Sequence, residues 1–166
     1  MSSRIDHSVD YLRPLLSPTM SIDIVEAMAD LIESNGYDFD AIACQGVSGL
    51  VMASMLSFMI KKPLIVVRKD VTHSHSDQMV EFGVIPVKNE MGKLSKVRYI
   101  IVDDLIESGK TVNDIDKKIK SYEESVFNCE FECVGLYLYH EPTVGDQMLI
   151  NGKMVPTYSL KNDSDL

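Results

Sequence analysis

Two adjacent carboxylates, Asp103 and Asp104, end an apolar, β-branched run, and a Ser-Gly-Lys-Thr turn, Ser108 to Thr111, follows closely. Vicinal carboxylates can accept hydrogen bonds from the vicinal hydroxyls of a ribose. They can also help hold Mg2+, a hard cation that takes oxygen ligands and keeps waters and substrate phosphates around it. The turn offers backbone N–H groups, the hydroxyls of Ser108 and Thr111, and the positive end of a helix, a combination that suits a phosphate. Gly109 permits close backbone approach. The chemistry these residues suit is the binding of a sugar phosphate. Ser-Gly-Lys-Thr is also the tail of a nucleotide-binding P-loop, but that loop needs a glycine where this chain has Asp104, and no glycine lies from Lys93 to Ser108.

These residues need a strand and a helix to place them. Tyr99 to Val102 is a continuous apolar run, the mark of a strand buried on both faces, so the acidic pair falls at its carboxyl end, where open α/β sheets bind ligands. Val112, Ile115, Ile119 and Tyr122 give the next helix an apolar stripe, with Asp114 and Asp116 early and Lys117, Lys118 and Lys120 late, as the helix dipole favours. Upstream, Ser21 is the expected cap of a helix to Ser34, with Ile22, Val25, Met28, Leu31 and Ile32 as its apolar face. Residues 1–20 read as irregular, with Pro14 and Pro18 as breakers. Ala41 to Cys44 reads as a short buried strand, Ser48 to Ile60 as a helix apolar nearly all round and hence central, and Pro63 to Arg68 as a second strand. Met79 to Val87 suits an extra strand or hairpin arm, Lys88 to Lys96 a polar turn, Phe131 to Tyr139 another strand, and Asn151-Gly152 the turn of a small hairpin. The alternation predicts an α/β fold with a mostly parallel central sheet flanked by helices on both faces.

Two further segments carry candidate groups. Gln45, Gly46, Val47, Ser48 and Gly49 form a second strand–turn–helix junction with exposed N–H groups. Arg68 and Lys69 end the second strand, where Arg68 can bind phosphate oxygens bidentately and Lys69 acts as a point charge.

The run from Val97 to Thr111 resembles the signature of the type I phosphoribosyltransferases, which use phosphoribosyl pyrophosphate (PRPP). The resemblance spans roughly residues 40–139. It implies transfer of the 5-phosphoribosyl group from PRPP to a nucleobase, with Mg2+ as cofactor and pyrophosphate as leaving group. Asp103 and Asp104 would then grip the ribose and the cation shell, the latter indirectly through Mg-PRPP. Ser108, Gly109, Lys110 and Thr111 would hold the 5′-phosphate, while Gln45 to Gly49 with Arg68 and Lys69 would meet the pyrophosphate. Residues 70–77 occupy the place of the family's flexible catalytic loop, in which His73 and His75 could donate to departing pyrophosphate; as ordinary loop histidines they would simply be solvated. Glu107 stands where hypoxanthine–guanine enzymes carry an acidic residue near the purine N7, a candidate general base. The lysine of that type, expected at the start of the 131–139 strand, is replaced by Glu132 and Cys133, and Tyr158 is a substitute for its stacking aromatic. The Val-Arg-Lys strand end resembles adenine and orotate enzymes instead. A purine is favoured, and a catalytically silent PRPP-binding regulatory protein is the alternative. Within one domain, 1–166, the core would run about 21–139, with hood elements at 1–20 (Tyr11, Leu12, Arg13) and 140–166. A homodimer is expected by the same resemblance.

The chain has 166 residues and a net charge of −9. Acidity disfavours nucleic-acid binding, which wants a basic face, and leaves anionic substrates to locally placed cations. Three cysteines, Cys44, Cys129 and Cys133, read as buried free thiols of a cytoplasmic protein. The most apolar stretch, Gly49 to Ile60, is shorter than the roughly 20 residues needed to span a bilayer.

Overall fold

A computed structural model describes residues 12–36, 38–69, 78–86, 95–106, 108–123, 128–140 and 145–160. A 3-10 turn, Pro14–Leu16, leads into α1 (Pro18–Ser34). Then come β1 (Ala41–Gln45), α2 (Gly46–Ile60), β2 (Leu64–Val67), β3 (Val80–Phe82), β4 (Ser95–Asp103), α3 (Lys110–Lys120), β5 (Cys129–Leu138), β6 (Gln147–Ile150) and β7 (Lys153–Ser159). The strands form one seven-stranded sheet in the order β3-β2-β1-β4-β5-β7-β6. Its five inner strands are mutually parallel, and β3 and β6 are antiparallel edges.

Residue parity assigns the two faces, because successive strand side chains point to opposite sides. Ala41, Ala43, Tyr99, Ile101, Leu136 and Leu138 pack with Val112, Ile115 and Ile119 of α3. Their neighbours Ile42, Cys44, Ile100, Val102 and Tyr137 pack with Val25, Met28 and Ile32 of α1 and Met52, Ala53 and Leu56 of α2. Helices therefore cover both faces, as the alternating pattern predicts, and all three cysteines are buried free thiols.

Several expectations shift. The first helix starts at Pro18, whose fixed φ suits the first helical position, and Ser21 lies within it, donating to the Pro18 carbonyl at 3.2 Å. Ile22, expected on its apolar face, is exposed. The second helix starts at Gly46, so the expected loop is already its first turn. It is not buried all round: Val47, Phe58 and Met59 face outward. β4 begins at Ser95, which places Lys96 in a strand rather than a turn. The hairpin turn is Asn151-Gly152, both at positive φ (45° and 91°), the pairing that matches strand twist in a two-residue loop. Its second strand, β7, joins the main sheet beside β5.

Leu56 is fully buried beneath β1 and β4. Leu56→Ala should lower the unfolding free energy by about 2–5 kcal/mol, read from the urea midpoint at unchanged m-value. A loss under about 1 kcal/mol would show that α2 is not held by this contact.

Candidate active site

The chain leaves β1 towards β2 on one side and later places β4 on the other, so the strand order reverses between β1 and β4. Such a switch opens a crevice at the strands' carboxyl ends. Gln45 ends β1 there, and Asp103 ends β4 with Asp104 directly after it. Together with Ser48, Lys69, Leu105, Ile106, Ser108, Gly109, Thr111 and Val112 they line a cavity of about 210 Å3. The acidic pair is held by the sheet. The Tyr139 N–H donates to the Asp103 carbonyl at 3.3 Å and the His140 N–H to the Asp104 carbonyl at 2.9 Å, extending the β4–β5 ladder past the last strand residue.

Two helix N-termini reach this crevice. Gly49 brings α2 against the end of β4, since a β-carbon there would lie 3.0 Å from the Val102 carbonyl oxygen and 3.3 Å from Asp103 Oδ1. Gly109, at φ 69°, is the left-handed cap of α3, and the Lys110 N–H faces Ser108 Oγ at 3.4 Å. Among the described residues that line the cavity, the one cationic side chain is Lys69, which folds over Gly46.

Asp103 is 5% exposed. Burial, first, and then its hydrogen bond to the Asp104 carboxyl and that group's charge push its pKa up from 3.8 to about 8; the Asp104 N–H, 3.0 Å from Oδ1, and the Lys69 charge pull the other way. Burial and the nearby Asp103 push the Cys44 thiol up to about 12, so it is no nucleophile at neutral pH.

Not every candidate residue reaches the cavity. Arg68 turns away and pairs with Glu81 of β3 at 2.8 Å. Val47 and Lys110 are exposed outside the lining, and Gly46 lies behind Lys69. Glu107, His73, His75 and Tyr11 lie outside the described residues. Leu12 packs against the α1–α2 core, and Tyr158 stacks on Tyr137 with ring centroids 5.0 Å apart. Two features escaped the sequence reading. Leu105, Ile106 and Val112 form an apolar part of the wall, legible only as apolar residues flanking the motif. Asp114 accepts from Gln45 Nε2 at 3.2 Å and from Lys118 at 2.6 Å, and Lys118 also donates to the Arg68 carbonyl at 3.0 Å. That network anchors the backbone just before Lys69.

Among the described residues, no group of three or more His, Cys, Asp or Glu side chains is placed to hold a metal. Two carboxylates at a crevice do fit Mg2+ that takes most of its shell from water and substrate phosphate. No described helix is long and apolar enough to cross a membrane.

No family model matches the chain. It is 33% identical over 101 residues to the adenine phosphoribosyltransferase of Pelagibacter ubique (strain HTCC1062), covering 57% of this chain and 58% of that one. It is 28% identical over 121 residues to the orotate phosphoribosyltransferase of Coxiella burnetii (strain RSA 493 / Nine Mile phase I), covering 72% and 51%. The chain thus spans between half and three-fifths of the length of these curated relatives. Its fold is similar to that of the adenine phosphoribosyltransferase from Thermoanaerobacter pseudethanolicus, with a TM-score of 0.60, 19% identity, and 88% of this chain and 82% of that one covered. Both curated relatives are phosphoribosyltransferases, and this chain shares its fold with a solved one.

The raised pKa of Asp103 has a consequence for stability. Between its ordinary value of 3.8 and about 8 the folded state binds more protons than the unfolded state, so this group's contribution is present below that window and is lost as pH rises through it. Asp103→Asn should therefore be more stable than the native chain at about pH 9, and close to it at about pH 4. Parallel stability–pH curves from denaturant titrations would contradict this.

Proposed function

We propose that the chain transfers the 5-phosphoribosyl group of PRPP to a nucleobase and releases pyrophosphate. The observation that carries the reading is the convergence, in one small crevice, of a buried vicinal acid pair, two helix N-termini and a lysine. The ribose 2′- and 3′-hydroxyls would donate to Asp103 and Asp104. The 5′-phosphate would accept from the amides and hydroxyls of Ser108 to Thr111. The pyrophosphate would lie at the first turn of α2, Gly46 to Gly49, where the helix dipole and the Lys69 ammonium favour negative charge. Arg68, paired with Glu81, would meet the pyrophosphate only after leaving that partner. Mg2+, held through Asp103, Asp104 and the substrate, would neutralise leaving-group charge.

The base nitrogen attacks C1′ as the bond from C1′ to the pyrophosphate oxygen breaks. The sugar passes through an oxocarbenium-like transition state. The protein's share is alignment and stabilisation of charge that develops on the leaving group. Glu107 remains the candidate acceptor for a base proton, and His73 and His75 candidate donors to pyrophosphate. The adenine relative, the higher in identity of the two, supports a purine as acceptor, and the orotate relative makes a pyrimidine the competitor. The same reading includes a homodimer, which sedimentation of the purified chain tests.

The test is pyrophosphate release from PRPP and Mg2+ with adenine, hypoxanthine, guanine, xanthine, orotate and uracil in separate reactions. Release that depends on one base, and that falls at least about 100-fold in the Asp103→Asn, Asp104→Asn double variant, is the expected outcome. Silence with every base while PRPP still binds would favour a regulatory binder, and silence without binding would sink the reading.

A further inference from the structure

A second polar cluster lies behind the crevice, and no step of the transfer uses it. Asp116 of α3 is completely buried, in a position where a carboxylate is costly unless well bonded. It accepts from the Tyr99 hydroxyl of β4 at 2.5 Å, from Asn151 Nδ2 of the hairpin turn at 2.6 Å, and from Lys120 at 3.1 Å. Asn151 also reaches Asn113, two residues beyond the Ser-Gly-Lys-Thr turn. Its N–H donates to Asn113 Oδ1 at 2.9 Å and its Nδ2 to the Asn113 carbonyl at 3.3 Å. Asn113 in turn donates to the Gly109 carbonyl through both its side-chain amide at 3.0 Å and its backbone N–H at 3.1 Å. Met148 of β6 closes the same contact, its Cε occupying the space a β-carbon on Gly109 would take.

An unbroken path of hydrogen bonds therefore runs from the hairpin tip to the cap of α3. The left-handed Asn151 ties the far edge of the sheet to the turn that lines the crevice, and Asp116 ties both to β4, the strand that carries the acidic pair. We propose that Asn151, acting through Asn113, is a positioning residue that holds the first turn of α3 at the spacing from Asp103 and Asp104 that a sugar phosphate requires. The assignment rests on the sugar-phosphate reading of the crevice.

Asn151→Gly keeps the positive-φ turn and the backbone donor but removes the side-chain bonds to Asp116 and Asn113. Asn151→Asp sets a carboxylate against Asp116. Both should weaken ribose 5-phosphate binding by about tenfold in calorimetry and raise KM for PRPP similarly with kcat within about twofold. Amide exchange of Asn113, whose N–H is bonded to the Gly109 carbonyl, should accelerate while that of β4 does not. The swap Asn151→Asp with Asp116→Asn restores a donor opposite an acceptor at 116 but leaves the Asn113 carbonyl without its side-chain donor, so it should recover the affinity only in part; full recovery would remove Asn113 from the path. Leu149→Ala, on the exposed side of the same hairpin, should change neither. Unchanged affinity and unchanged exchange in Asn151→Gly would overturn the proposal, as would equal losses in Leu149→Ala. If the native chain binds no ribose 5-phosphate, the reading of the crevice fails; the exchange rates then decide alone whether the hairpin holds the turn.

Discussion

The parallel pairing of β1 with β4, Ala41 opposite Tyr99 and Ala43 opposite Ile101, is the contact on which the site depends. It sets the carboxyl ends of two strands side by side although the chain between them visits β2 and β3 first. From those ends α2 leaves over one face and α3 over the other, so two helix N-termini flank the same crevice. Small residues make that approach close: Ala41 and Ala43 lie under α3, and Gly49 lets α2 lean on the Val102 carbonyl. The crevice is therefore a consequence of sheet order before it is a matter of any one side chain.

Electrostatics gives the crevice its second constraint. The chain as a whole is acidic and cannot attract an anion globally, so the local arrangement must do so. Lys69 is placed for this by its backbone, because the preceding Arg68 carbonyl is held by Lys118 and, at a longer 3.4 Å, by Gln45. Asp103 is kept from ordinary ionisation by burial beside Asp104. A neutral Asp103 carboxyl lowers repulsion with Asp104, while an arriving cation would favour the ionised form.

The strand ending in Asp103-Asp104 was legible because a fully buried strand reads as a continuous apolar run, and the Asn151-Gly152 hairpin because few residue pairs accept two positive φ values. Boundaries were harder. Ser17, Pro18 and Ser21 all carry helix-start chemistry, and only packing chooses among them. The all-apolar α2 gave no periodicity from which to tell its buried face from the one carrying Phe58. Long-range partners were invisible: nothing local to Arg68 announces Glu81 across the strand pair, and nothing local to Asp116 announces Tyr99 and Asn151. In the sequence Asp116 reads only as an early acid that suits the helix dipole; the fold buries it completely.

The central claim is that the buried acid pair at the end of β4 is where PRPP and its cation bind. Calorimetric titration of PRPP with Mg2+ near pH 7, in two buffers of different ionisation enthalpy, tests it most directly. Burial raises the Asp103 pKa to about 8 and an arriving cation favours its ionised form, so binding should release more protons from the native chain than from Asp103→Asn. Binding of equal strength and equal proton release in the two proteins would contradict the account.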